Sequence, residues 1–261
     1  MAFAAPGEEL LVLCAALVVR LLVGQHTYSG FSGNRGAGYG TYAPDMSENL
    51  GDYEAQRHWM EVGLALPPAE WYTYDLGYWG VDYPPLSMYQ SVVHGHMMRS
   101  GWLGAEDGGA AVALVRSRGY ESGPSKRGMR LSVLLSEALL LWPAAVICAR
   151  GAAGDGGTPR AGAAARRRAA ALAALAFVLL QPGLILIDHG HFQYNSISLG
   201  LALAAFLAIT RYHRDCLGAV LFTVRARFLT ERAPGHGRPS RDCMYDDEGR
   251  GRHGAPPWAH G

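Results

Sequence analysis

Charge is what this sequence has least of. Only 17% of its 261 residues are Asp, Glu, Lys or Arg, against roughly 25% in an average soluble domain. With 23 basic and 22 acidic residues the net charge is +1, so the chain lacks the basic field that neutralising nucleic-acid phosphates requires. Cysteine is equally sparse: Cys14, Cys148, Cys216 and Cys243 form no CxxC pair and have no histidine at metal-ligand spacing. That pattern indicates neither a zinc site nor a disulfide framework. Cys14 and Cys148 lie in apolar runs and read as small buried hydrophobes. The chain also contains no N-x-Ser/Thr acceptor, no KDEL-type ending and no internal repeat.

What it has instead is long uncharged runs. Residues 131–149 hold one charge, Glu137, and residues 169–187 hold none; each is about the 20 residues that cross a bilayer core as helix. Residues 196–210 are uncharged but shorter, 10–24 carry Arg20, and 217–224 read as part of a further span. The expected class is therefore all-α, a polytopic membrane domain over residues 1–224. The first run lacks a basic n-region and a small-x-small cleavage site, so it reads as a retained anchor rather than a signal peptide.

Arg150, Arg160, Arg166, Arg167 and Arg168 stand against Asp155 in the short connector between the two strongest runs, which the positive-inside rule assigns to the cytosol. Parity then puts residues 25–130 and 188–195 on the opposite face. Within that outer loop, 85–103 is moderately apolar but carries His94, His96 and Arg99. Arg alone costs about 2.5–3.5 kcal/mol at the centre of a span, so an interfacial helix is expected. Residues 225–261 are different material, with twelve charged residues and ten Gly or Pro and no apolar period; they cannot offset their ordering entropy and read as a disordered tail.

Two polar constellations fall on the outer face. One runs from Gly51 through Asp52, Glu54, Arg57, His58 and Trp59 to Glu61; the other is Asp188-His189-Gly190-His191-Phe192-Gln193-Tyr194-Asn195, directly between two spans. Polar side chains in such places are functional candidates. Helix capping by Asp52, dipole compensation by Glu54 and a short solvated loop at 188–195 explain the same residues equally well. Trp71, Tyr72, Tyr74, Tyr78, Trp79, Tyr83 and Tyr89 fit either a membrane-interface belt or a sugar-stacking platform. Pro84-Pro85 sets an extended approach to the interfacial helix.

Five motifs in order resemble one family: Tyr28-Ser-Gly-Phe-Ser-Gly33, Gly51-Asp-Tyr-Glu-Ala-Gln-Arg-His-Trp-Met-Glu61, Tyr78-Trp-Gly-Val-Asp-Tyr-Pro-Pro-Leu86, Ser117-Arg-Gly-Tyr-Glu-Ser122, and Pro182-Gly-Leu-Ile-Leu-Ile-Asp-His-Gly-His-Phe-Gln-Tyr-Asn-Ser196. They are similar to the endoplasmic-reticulum glucosyltransferases that use dolichyl-phosphate glucose to extend the lipid-linked oligosaccharide of N-glycosylation. The Glu-Ala-Gln-Arg-His-Trp and Asn-Ser-x-Ser-Leu-Gly forms resemble the α-1,3 enzyme that adds the first glucose more than the one that adds the second.

The resemblance implies the N-terminal part of a GT-C fold in the endoplasmic-reticulum membrane, with a lumenal active face. Its implied partners are dolichyl-phosphate glucose, dolichol-linked oligosaccharide and the bilayer, without nucleic acid, metal or cofactor. It implies Asp52 as catalytic base. A β-linked donor and an α-linked product need one inverting displacement and one carboxylate to take the acceptor's proton. The departing phosphate is stable as an anion, so a cationic or hydrogen-bonding clamp suffices in place of a strong acid. Glu54, Arg57, His58, Trp59, Arg118, His189, His191 and Gln193 are the expected substrate-binding residues. The likeness stops near residue 224, from which a truncated and catalytically inactive fragment is the alternative expectation. A transporter built on the embedded His and Asp residues is a third.

Overall fold

The computed structural model describes residues 6–26, 52–76, 78–152 and 162–229. The Tyr28–Gly33 motif, Gly51, Cys243 and residues 230–261 of the expected tail lie outside them. All regular structure among the described residues is helical: α1 Pro6–Val23, α2 Asp52–Ala65, α3 Pro85–Arg99, α4 Gly108–Ala111, α5 Gly123–Ala152, α6 Ala163–Leu179, α7 Pro182–Ile185, a π turn Leu186–His191, α8 Asn195–Thr210 and α9 Asp215–Leu229.

Two stretches are long and apolar enough to cross a membrane, Gly123–Gly151 and Ala163–His191, and Asn195–Thr210 is a shorter apolar helix. The second stretch is not one straight helix. Pro182 has no N–H to donate and forces the residue before it out of the helical region, so Gln181 is extended at φ −62°, ψ 114° and its side chain accepts the Leu184 N–H at 2.7 Å to start α7. The expected span 169–187 is therefore broken at Leu180–Gln181, and its polar continuation winds into the π turn instead of a loop. Helix α9 likewise runs to Leu229, through the first five residues expected in the tail.

The apolar helices share two ends. At one, Arg150 Nη2 reaches Glu9 at 2.6 Å, Arg168 Nε reaches Glu8 at 2.5 Å, and Gly151 lies against Arg211. At the other, Arg130 Nη2 reaches the carbonyls of His26 and Gly190 at 3.4 Å, and Ser87 Oγ reaches the Phe228 carbonyl at 3.3 Å. Helix α8 packs on α5 and α9, and α1 on α6. Gly200 permits the first of these contacts: a Cβ there would lie 2.7 Å from the Leu141 backbone nitrogen, so any side chain would pry α5 and α8 apart.

Helices α2, α3 and α4, with the loops around them, form a cap at the second end. Pro84 is extended and Pro85 occupies the first turn of α3, where its missing N–H costs nothing. Gly95 lets α3 lie close on Leu64 of α2. Most of the aromatic stretch is the core of this cap rather than a belt or a platform. Trp71 and Tyr78 are buried, Trp59 Nε1 donates to the Trp79 carbonyl at 2.9 Å, Trp71 Nε1 to Leu66 at 2.9 Å, and Tyr72 Oη to Tyr83 at 2.9 Å. Tyr89 and Trp102 remain exposed. Cys14 is exposed and Cys148 half-buried, so neither is the buried hydrophobe expected. An apolar run facing outward from a helix bundle exposes its small residues along with its leucines, as Leu10, Leu11 and Leu22 do on α1.

Candidate active site

The two constellations meet. Asp52 opens α2, and its Oδ2 accepts from Gln193 Nε2 at 2.5 Å and lies 2.9 Å from His191 Nε2, although the residues are about 140 apart in sequence. The Asp52 carboxylate is 33% exposed and the His191 ring 40%, so a solute can reach both. The distortion that aims them is local. Leu186–His191 is a π turn and Phe192 follows with φ 84°, a backbone state that costs a non-glycine residue roughly 1–3 kcal/mol. Burial of the Phe192 ring offsets it: the ring is fully buried, edge-on to Tyr53 at 5.3 Å and to Tyr194 at 5.7 Å.

Just inside α2 lies a second, closed cluster. Arg57 Nε donates to Glu54 Oε2 at 2.6 Å, and its Nη1 to Glu61 Oε2 at 2.8 Å and to the Ala111 carbonyl at 2.9 Å. His58 Nδ1 lies 2.5 Å from Glu61 Oε1, and Tyr78 Oη donates to Glu54 Oε1 at 2.6 Å. The Ser117–Ser122 motif latches onto this cluster. Ser117 Oγ donates to Glu61, Gly119 N to Glu54 Oε1 at 3.0 Å, Arg118 pairs with Asp75 and lies 4.4 Å over the Tyr78 ring, and Tyr120 Oη donates to Asp107 at 2.8 Å.

Burial works against each charge here, yet the partners outweigh it. Burial would lower Arg57, but Glu54 and Glu61 hold its proton and raise it. Burial would raise Glu61, but the hydrogen bond to His58 and the Arg57 charge bring it below the usual carboxylate range. Burial and the adjacent Glu54 carboxylate push the Tyr78 phenol well above its ordinary value.

The expected site residues thus divide. Asp52, His191 and Gln193 come together at an accessible point. Glu54, Arg57, His58 and Trp59, expected as substrate contacts, are buried, with Glu54 bonded to Arg57, His58 to Glu61 and Trp59 to a backbone carbonyl, because an α2 face that packs into the cap must pair its own charges. Arg118 is held on Asp75 and Tyr78.

His189 turns inward, its Nε2 2.7 Å from Glu137 Oε2. Glu137 also takes Arg20 Nε at 2.6 Å and Nη2 at 2.5 Å, and Arg20 reaches the Leu179 carbonyl at 2.7 Å. Glu137 and Arg20 were missed as partners. The signal was there: each is the lone charge of an otherwise apolar run, and the two are of opposite sign.

The comparisons with known proteins decide the family. The model of the ALG6, ALG8 glycosyltransferase family matches residues 16–228. The chain belongs to this family. It is 42% identical over 213 residues to the "Probable dolichyl pyrophosphate Man9GlcNAc2 alpha-1,3-glucosyltransferase" of Arabidopsis thaliana, covering 80% of this chain and 35% of that one. To the dolichyl pyrophosphate Man9GlcNAc2 alpha-1,3-glucosyltransferase of Rattus norvegicus it is 38% identical over 224 residues, 83% of this chain and 38% of the relative. To the enzyme of the same name from Saccharomyces cerevisiae it is 38% identical over 199 residues, 76% of this chain and 32% of the relative. The chain therefore spans about a third of the length of the curated relatives it matches. The match runs to residue 228, one residue short of the end of α9 and a few beyond the point where the likeness was expected to stop.

Proposed function

We propose that this chain carries the base-bearing part of an inverting glucosyltransferase, which moves glucose from dolichyl-phosphate glucose to a mannose hydroxyl of the dolichol-linked oligosaccharide. The observation that carries the reading is Asp52. It is the one carboxylate of α2 that is accessible, and the second constellation supplies its hydrogen-bond partners. The relatives' names specify a Man9GlcNAc2 acceptor and an α-1,3 linkage, which favours the first-glucose reaction over the second.

In this mechanism Asp52 takes the acceptor proton as the hydroxyl oxygen attacks the anomeric carbon. The bond to the phosphate oxygen breaks on the opposite side, and the phosphate leaves as an anion. His191 lies on the base side, where it steadies the Asp52 carboxylate and can pass its proton to solvent. The shared ends of α1, α5, α6, α8 and α9 support a multi-pass arrangement of the GT-C type. The arginine-rich end then lies in the cytosol, and the Asp52 end in the lumen of the endoplasmic reticulum.

The test is Asp52→Asn in the full-length protein in native membranes. Glucose transfer falls by about 10³-fold while protein level and membrane insertion stay at wild-type values. Near-normal transfer removes Asp52 as the base.

A further inference from the structure

The π turn and the start of α8 contain a set of polar side chains that the mechanism above does not use. Asp188 is fully buried. Its Oδ2 accepts the Ser196 N–H at 2.8 Å, and its Oδ1 accepts the Asn195 N–H at 3.0 Å and Asn195 Nδ2 at 3.1 Å. Backbone N–H groups can only donate, so the Asp188 carboxylate is committed as an acceptor at the head of α8.

That commitment sets direction for everything downstream. Asn195 turns its NH₂ toward Asp188, and the same NH₂ donates to Gln193 Oε1 at 2.7 Å. With its carbonyl oxygen engaged, Gln193 presents its own NH₂ to Asp52 Oδ2 at 2.5 Å. His191 Nε2 lies against the same oxygen at 2.9 Å. Both contacts fall on Oδ2, and Oδ1 has no partner among the described residues.

We propose that Asp188, Asn195 and Gln193 form a directed hydrogen-bond string that selects Oδ1 of Asp52 as the basic oxygen and holds it toward the acceptor hydroxyl. Gln193 and Asn195 are then positioning residues, not substrate contacts. A carboxylate with one oxygen tied keeps the other in a single orientation, and misplacing a reacting group by about 1 Å can cost 10²-fold in rate. The string also explains why two amides, Gln193 and Asn195, lie between the carboxylates of Asp52 and Asp188. An amide donates at one end while accepting at the other, so it transmits orientation; a second carboxylate at 193 or 195 would set like charges against Asp52 or Asp188.

The inference rests on Asp52 being the base, and the variants separate the two ideas. His191 is the titratable group recorded against Asp52 among the described residues, so it is left intact throughout. In membranes containing the full-length protein, Gln193→Met lowers kcat about 10- to 100-fold with little change in KM for the oligosaccharide. Gln193→Glu sets a like charge beside Asp52 and moves the acidic limb of the pH–rate profile up by about one unit. The double variant Asn195→Leu/Gln193→Met falls no further than the worse single one, because both cut the same string.

An acidic limb unmoved in Gln193→Glu, or losses that multiply in the double variant, overturns the string. Transfer retained in Asp52→Asn overturns the base reading instead. A measurement independent of turnover uses Asp52→Cys. The midpoint pH for alkylation of this thiol by a maleimide in detergent-permeabilised membranes rises when Gln193→Glu is added, and equal midpoints overturn the proposal.

Discussion

One short helix, α2, carries two acid clusters with opposite character. Its first residue, Asp52, is accessible and has an oxygen without a partner among the described residues, whereas five residues further in Arg57 is fully buried and makes hydrogen bonds to Glu54, Glu61, Ser117 and a backbone carbonyl. Both clusters belong to the same run of sequence and the same family motif. A charge that does work on a substrate has to keep bonding capacity in reserve, and a charge that holds a fold has to spend all of it.

The sharpest way to break this comparison is to remove one member of each cluster and read rate and folding together. Arg57→Ala strands two buried carboxylates and costs about 3–5 kcal/mol of stability. It is expected to make the protein more sensitive to protease in detergent than the parent, whereas Asp52→Asn leaves that sensitivity unchanged and removes turnover alone. If Arg57→Ala folds normally and only slows transfer, the closed cluster is part of the chemistry. Gly200→Ala, which sets a methyl against the α5 backbone, is expected to lower thermal stability by about 1–3 kcal/mol, with the remaining folded fraction retaining its transfer rate. Tyr78→Phe deletes the phenol that donates to Glu54. It should cost about 1.5–3 kcal/mol, the range for a bond to a charged group, without moving the pH–rate profile.

An effect confined to acid pH concerns His94 on α3. Its Nε2 lies 3.1 Å from Ser136 Oγ and its ring stacks on Tyr194. Burial pulls it down from 6.5 to about 4, so the folded protein binds fewer protons here than the unfolded chain. Stability from this group is present above about 6.5 and is lost as the pH falls from there towards about 4. Urea midpoints measured across that window should decline less in His94→Gln than in the parent.

Much of this was legible in the residues. The nearly uncharged length of 131–149 and 169–187 marked the two stretches long and apolar enough to cross a membrane, whereas of the arginines expected in the connector Arg150 lies in the last turn of α5 and Arg166, Arg167 and Arg168 in the first turns of α6. Pro84-Pro85 marked the start of α3, and Asp52 stood out at the head of its motif. What could not be read is where side chains of one helix turn to in space. Arg57 and Asp52 share a motif and differ only in which surface the cap covers. That depends on Ser117, Gly119 and Ala111, more than 50 residues away. The π turn was equally hidden, since Asp188 to Asn195 is polar enough for a loop. Only the capture of Asp188 by the head of α8 and of His189 by Glu137 winds it inward. Pro182 did signal the break in the preceding span, and the length of the apolar run concealed it.

The Arg20–Glu137 pair also dictates an order of events during synthesis. The two residues are 117 positions apart, and at about 5–20 residues per second the arginine is made roughly 6–25 s before the carboxylate that neutralises it. Until then the place that Arg20 takes in the folded protein would leave it an uncompensated buried charge. Helix α1, made well before α5, must therefore keep its arginine at a polar surface until α5 arrives, and its docking is a late step of assembly. Defects in Glu137 would then surface as an α1 that never docks, a failure of biogenesis rather than of catalysis.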